Sequence, residues 1–275
     1  MTYSFDGQSL YRMPTHFGPS LGPRQGPDGR RYAVKDSSRQ RLLTATFNVE
    51  SSQLETLLPP GFTLPDDPYL SVDYCEITEI EWLAGRGYNT FGVSVSAIYE
   101  GQEETVRGML LLVLWENMAD PIITGREDLG FAKLYCELPP IRCLYGDAFA
   151  EASWDGHGFA RLRFESGTTL DPASLSSADH DGTLHFKYVP RTGSPGEADV
   201  AYPVLTPREN PNLKIEKATQ FDTASLQFVH SSWEQLPTLV NIVNRLEELQ
   251  LGSCQSALML ETRGYKDLSD QRRVF

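Results

Sequence analysis

The chain has 275 residues, 40% of them hydrophobic and 22% charged, with 37 acidic against 24 basic side chains and a net charge of −13. That length and composition belong to an ordinary globular chain with a sizeable core. The acidic balance, with no basic stretch longer than a doublet such as Arg272-Arg273, excludes nucleic-acid binding as the main function. The longest strongly apolar run, 109–115, is too short to span a bilayer, and no membrane partner is expected. The opening residues 1–6 lack the basic start and apolar run of a secretory signal. Cys75, Cys136, Cys143 and Cys254 form no CxxC pair, so a cytoplasmic protein with reduced thiols is the simplest reading. His180 and His185 lie in a polar stretch without acidic or cysteine partners at ligand spacing, so neither a metal nor any other cofactor is expected.

In chain order, residues 14–30 are rich in proline and glycine and read as part of an irregular N-terminal arm over 1–35. Residues 42–50 alternate as a strand. Ser51-Ser52 caps a short helix through Leu58, ended by Pro59-Pro60-Gly61. Strands follow over 69–82, 90–99 and 106–118, separated by glycine or charged turns. Residues 120–130 form a turn of helix leading into the next strand. Segments 141–153 and 158–165 make a hairpin through Asp155-Gly156-His157-Gly158. A polar loop covers 166–182, a strand 184–189, and a loop-rich stretch 190–211. Residues 213–233 are β-like with a break at Phe221-Asp222. Leu236, Val240, Val243 and Leu246 are spaced as a helix within 234–251, with Gly252 as its stop, and 256–262 is a closing strand. No repeat or linker divides the chain, so a single domain over 1–275 is expected. The sum is a mostly β fold, a curved or closed antiparallel sheet with two or three helices, closure being the way to remove exposed edges.

The chemistry concentrates at Lys133. It follows the turn-forming stretch Gly125-Arg126-Glu127-Asp128-Leu129-Gly130 and is flanked by Phe131, Ala132 and Leu134. Apolar neighbours favour burial, and a desolvated amine is more readily neutral and nucleophilic toward a carbonyl. The plainer alternative is a buried lysine stem with the amine in water.

Gly125-Arg126-Glu127, five residues and then Lys133 resemble the active-site segment of the acetoacetate decarboxylase family. So do Ala119-Asp120-Pro121-Ile122-Ile123 before it, Leu57-Leu58-Pro59-Pro60-Gly61-Phe62, and Asp67-Pro68-Tyr69-Leu70-Ser71-Val72-Asp73. The resemblance covers residues 40–165 best. It implies a cone-shaped β-barrel with a buried pocket and a Schiff-base lysine at Lys133. Activation of that lysine by an adjacent cation is the established case in the family. Here the adjacent position is Leu134, so desolvation would have to supply most of the activation. Thr90 follows Tyr88-Asn89 where the family carries a catalytic glutamate, and the family's active-site arginine falls on Gln40, between Arg39 and Arg41. A one-residue slip would be needed to use either arginine, and a slip reverses facing in a strand.

The resemblance implies a Schiff-base lyase acting on a small or medium keto acid, either by decarboxylating a β-keto acid or by related enamine chemistry. An aldolase-dehydratase using an α-keto acid such as pyruvate, or a non-catalytic small-molecule-binding barrel, are the alternatives. The candidate site residues are Lys133, Arg126, Asp73, Thr90 and Tyr88, with Arg126, Arg39 and Arg41 as candidate carboxylate binders. Assembly into a homo-oligomer is left open.

Overall fold

The computed structural model describes residues 4–32, 34–176 and 179–275. Residues 1–3 and 33 of the expected arm, and 177–178 of the expected polar loop, lie outside them. The strands in chain order are β1 Arg39–Val49, β2 Phe62–Thr63, β3 Tyr69–Ile80, β4 Arg86–Glu100, β5 Thr105–Glu116 and β6 Lys133–Tyr135. Then come β7 Arg142–Leu144, β8 Asp147–Trp154, β9 His157–Glu165, β10 Thr168–Leu170, β11 Gly182–Pro190 and β12 Ala198–Pro207. The last are β13 Lys214–Gln220, β14 Thr223–Phe228, β15 Leu251–Arg263 and β16 Arg272–Arg273. The α-helices are α1 Ser51–Glu55, α2 Ala119–Thr124 and α3 Val240–Glu247. The chain is mostly β with three α-helices among the described residues.

The larger sheet runs β10-β13-β15-β1-β3-β4-β5-β11-β12-β16, with β2 added to β4 and β6 added to β5. The smaller sheet runs β14-β9-β8-β7. Neither closes on itself among the described residues, so the closed barrel that the resemblance implied is not what the pairing gives. Instead the apolar faces cover each other. In β1, β3, β4 and β5 the buried set Leu43, Ala45, Phe47, Val72, Tyr74, Phe91, Val93, Val113 and Trp115 shares one face, as period-two alternation requires. Trp115 meets Phe159 of β9 at 5.3 Å between ring centroids, and Phe91 meets Phe228 of β14 at 6.1 Å. Val243 and Leu246 of α3 belong to the same core. The opposite face of β1, β3 and β4 carries Thr44, Asp73, Tyr88 and Thr90, which are half-buried.

Several boundaries differ from the sequence reading, each for a local reason. Expected strand 141–153 is two strands, because Tyr145 and Gly146 take positive φ (52° and 89°) and make a second tight hairpin. The Asp155-Gly156 turn does the same (47° and 79°). Loop-rich 190–211 contains β12, whose Pro203 and Pro207 are tolerated near the sheet end, where the far side holds only two-residue β16. Gly252 lies inside β15 and does not stop α3, which ends at Glu247. Ser51 and Ser52 begin α1 rather than cap it, with Glu50 at the N-cap making no side-chain cap. The break at Phe221-Asp222 is where β13 gives way to β14.

The arm folds back on itself. The Gln25 side chain bonds both backbone groups of Leu10 and the Ser20 carbonyl, and Gly22 bridges Gln25. Arg12 and Arg24 then converge on Asp128, at 2.7 and 2.9 Å. Among the described residues no helix is long and apolar enough to cross a membrane.

Candidate active site

The site is built by the connection between β5 and β6. β5 ends at Glu116. The chain turns through α2, where Pro121 sits in the first turn and so forfeits no helical bond. A π-helical turn, Gly125–Leu129, follows and ends at Gly130 with φ 83°, a left-handed conformation suited to glycine. Lys187 of β11 donates to the Glu127 and Asp128 carbonyls at 2.7 and 3.2 Å, capping that turn. β6 then enters parallel to β5, with Lys133 opposite Leu114. Lys133 and Glu116 therefore project from the same face of the sheet.

The Lys133 side chain is buried and lies across Gly125. A Cβ at Gly125 would sit 2.5 Å from Cε and 2.6 Å from both Cδ and Nζ. The glycine that opens the Gly-Arg-Glu segment is thus a space left for the lysine. Nζ donates to the Pro121 carbonyl at 3.0 Å and stands 5.1 Å from the Phe131 ring centre. It also meets Glu116 Oε1 at 2.9 Å. The expected apolar surroundings of the amine are corrected here, because a carboxylate from the neighbouring strand occupies them.

Glu116 is 1% exposed, and its second oxygen, Oε2, has no hydrogen-bond partner. Burial holds this carboxyl above the usual carboxylate range, with the Lys133 charge opposing that rise. Thr90 is directly opposite Glu116 across β4 and β5. The Tyr88 phenol is held well above its usual range by burial first and then by the Glu116 charge. Although part of its surface is reachable, Tyr88 lies deep in the molecule, which is why desolvation dominates.

Of the residues expected from sequence, Lys133, Thr90 and Tyr88 gather around Glu116. Asp73 shares the face but stands on β3, beyond β4 and β5, with its carboxyl raised by burial against a Thr44 hydrogen bond. Arg126 is exposed and donates to the Lys133 backbone carbonyl at 2.8 Å, so it fixes the strand rather than facing the amine. Arg41 pairs with Glu76, and Arg39 with Glu79 and Glu216. Gln40, on the other face of β1 from both, is the residue that comes near Cys75. Gln40 thus shares the face of β1 that carries Thr44, and neither arginine turns toward the site.

Two residues were missed. Glu116 was hidden at the end of an apolar run, where a single charge closing a buried strand was its only signal. His185, on β11, is 1% exposed, packs tilted against Phe131 at 4.1 Å between ring centres, and bonds Thr206 Oγ1 through Nε2 at 3.0 Å. Burial and then the Lys133 charge bring its imidazole down to about 3, so it is neutral. Among the described residues no three His, Cys, Asp or Glu side chains converge as metal ligands.

A mostly β two-sheet fold of this topology is shared with proteins already characterised. The model of the acetoacetate decarboxylase family matches residues 12–249, and the chain belongs to that family. Acetoacetate decarboxylase of Legionella pneumophila is similar over 90% of this chain and 92% of that one, at 16% identity and a TM-score of 0.63. An acetoacetate decarboxylase-like enzyme of Sphingomonas wittichii RW1 is similar over 90% and 97%, at 16% identity and 0.58. The enduracididine biosynthesis enzyme MppR, complexed with pyruvate, is similar over 90% and 99%, at 16% identity and 0.59. At such identities these likenesses establish the fold. No curated protein sequence matches the chain.

Proposed function

We propose that the protein is a carbon–carbon lyase that acts on a small keto acid through an imine on Lys133. The observation that carries this reading is the buried Lys133 amine, held between the Glu116 carboxylate and the Pro121 carbonyl at the end of a half-buried polar face. Membership of the acetoacetate decarboxylase family and the pyruvate complex of MppR support a lysine imine as the shared chemistry. The amine adds to the substrate carbonyl, water leaves, and the protonated imine draws electrons from the bond broken next. Loss of CO2 from a β-keto acid and enamine formation from an α-keto acid both pass through this intermediate.

The test is intact mass after borohydride reduction with pyruvate, acetoacetate and longer β-keto acids, read beside CO2 release. One reduced adduct is expected in the wild type and none in Lys133→Ala. Binding without any adduct would instead mark a non-catalytic small-molecule binder. An adduct that persists in Lys133→Ala would remove the lysine from the reaction.

A further inference from the structure

We propose that Glu116 is the acid–base group of this site, passing protons between the lysine nitrogen, the substrate oxygen and the substrate's α-carbon. The substrate class is accordingly carbonyl compounds with an α C–H, whose enamine is made by deprotonation. This rests on the imine reading above and specifies its proton chemistry.

Geometry carries it. Glu116 Oε1 is 2.9 Å from Nζ, within hydrogen-bond reach of the atom that becomes the imine nitrogen. Oε2 is buried without a partner, so a second lone-pair site is available on the same carboxyl. Of the other ionisable groups nearby, Tyr88 is held to its phenol proton and His185 leaves only Nδ1 unpartnered. Arg126 holds a backbone carbonyl, Asp73 is on β3, and His185 is neutral with Nε2 tied to Thr206. Burial raises the Glu116 carboxyl, and its Oε1 is within reach of Nζ, so it is the group placed to take the proton that the amine must lose before it attacks.

The steps balance. The nitrogen lone pair forms the C–N bond, the carbonyl π pair moves to oxygen, and that oxygen takes the Glu116 proton. The tetrahedral nitrogen returns a proton to Glu116. The hydroxyl leaves as water with that proton as the nitrogen lone pair forms C=N⁺. The Glu116 carboxylate then removes the α-proton, the C–H pair becomes C=C, and the C=N⁺ π pair returns to nitrogen as the enamine. Decarboxylation alone needs no base at this stage, whereas aldol addition and dehydration do.

The carboxylate also occupies an exchangeable place. Thr90, matched to the glutamate of the resembled family, is the residue directly opposite Glu116. Opposed side chains start about 5 Å apart, so a carboxylate from either strand reaches the same point.

The experiment follows hydrogen–deuterium exchange at the methyl groups of pyruvate and of acetone by NMR in D2O, with borohydride trapping in parallel. Wild type should exchange at least one probe and give its adduct at Lys133. Glu116→Gln should still trap the adduct but exchange on the order of a hundredfold more slowly. The double variant Thr90→Glu/Glu116→Thr should exchange at least tenfold faster than Glu116→Thr. Wild-type exchange in Glu116→Gln overturns the proposal, and so does a wild type that forms the adduct without exchanging. If Glu116→Gln does not fold, a folded double variant without exchange overturns it equally. A wild type that traps neither probe removes the lysine reading itself, and the Glu116 assignment with it.

Discussion

Replacing Gly125 with alanine separates the lysine's placement from the stability of the fold. The added methyl would lie 2.5–2.6 Å from Cδ, Cε and Nζ of Lys133. Ordinary contact needs about 3.5–4.0 Å, so the end of the lysine must retreat by roughly 1 Å. Its bonds to Glu116 and Pro121, at 2.9 and 3.0 Å, then stretch beyond useful geometry. A 1 Å misplacement at a reacting centre costs about a hundredfold in rate. The backbone does not resist the change. Gly125 has φ −67° and ψ −38°, which alanine adopts freely, and alanine is favoured over glycine in helical geometry by roughly 0.5–1 kcal/mol. The clashing atoms are the flexible end of one side chain, so the melting temperature should hold or rise slightly. The rate of borohydride-trapped adduct formation, measured beside a thermal melt, should fall about a hundredfold with no loss of stability. Wild-type trapping in Gly125→Ala would refute this account of the glycine. A collapsed fold would show that the backbone, not the lysine, is what the space protects.

Stability should fall on acidification between pH 6.5 and about 3, because the unfolded chain takes up a proton at His185 that the folded chain refuses. At about 1.4 kcal/mol per pH unit the full loss is on the order of 5 kcal/mol. Urea titrations across that range should show the slope reduced in His185→Asn, and an unchanged slope would exclude His185 as its source. Asp128→Asn should cost roughly 2 kcal/mol, below the limit for fully buried pairs because Arg12 and Arg24 keep some solvent. Trypsin should then cut at Arg12 or Arg24 faster while the sheets stay intact, and equal cutting rates would contradict the docking. Phe91→Ala should cost about 3–5 kcal/mol, since the ring is fully buried between Trp115 and Phe228; a loss under about 1 kcal/mol would mean that the two sheets do not share this core.

Much of the scaffold was legible because alternation is strict where one face of a strand is buried. β1, β3, β4 and β5 were each found within a few residues, and the register of Gly125-Arg126-Glu127 singled out Lys133, which is buried beside Glu116. What failed depended on partners distant in sequence. β12 carries two prolines that only its place near the sheet end permits, and three-residue β10 has no periodicity to read. Whether a sheet closes is a property of its first and last strands together, which no local pattern encodes. For Arg126 a carboxylate-binding and a structural role stood equal in sequence, because nothing local reveals that its guanidinium turns back to the Lys133 carbonyl. Glu116 became visible only once β6 was seen to lie parallel beside β5.

The clasp of Arg12 and Arg24 on Asp128 joins segments more than a hundred positions apart, yet it lies outside both sheets. Closing so long a loop costs little more than closing a shorter one, but the contact forms only after the sheets exist to present Asp128. It can also open without them, as a local unit less stable than the whole. The π-turn it grips carries Gly125, and Gly125 sets where Lys133 lies. Heating should therefore blunt the lysine before it melts the protein, so that the temperature of inactivation falls below that of unfolding.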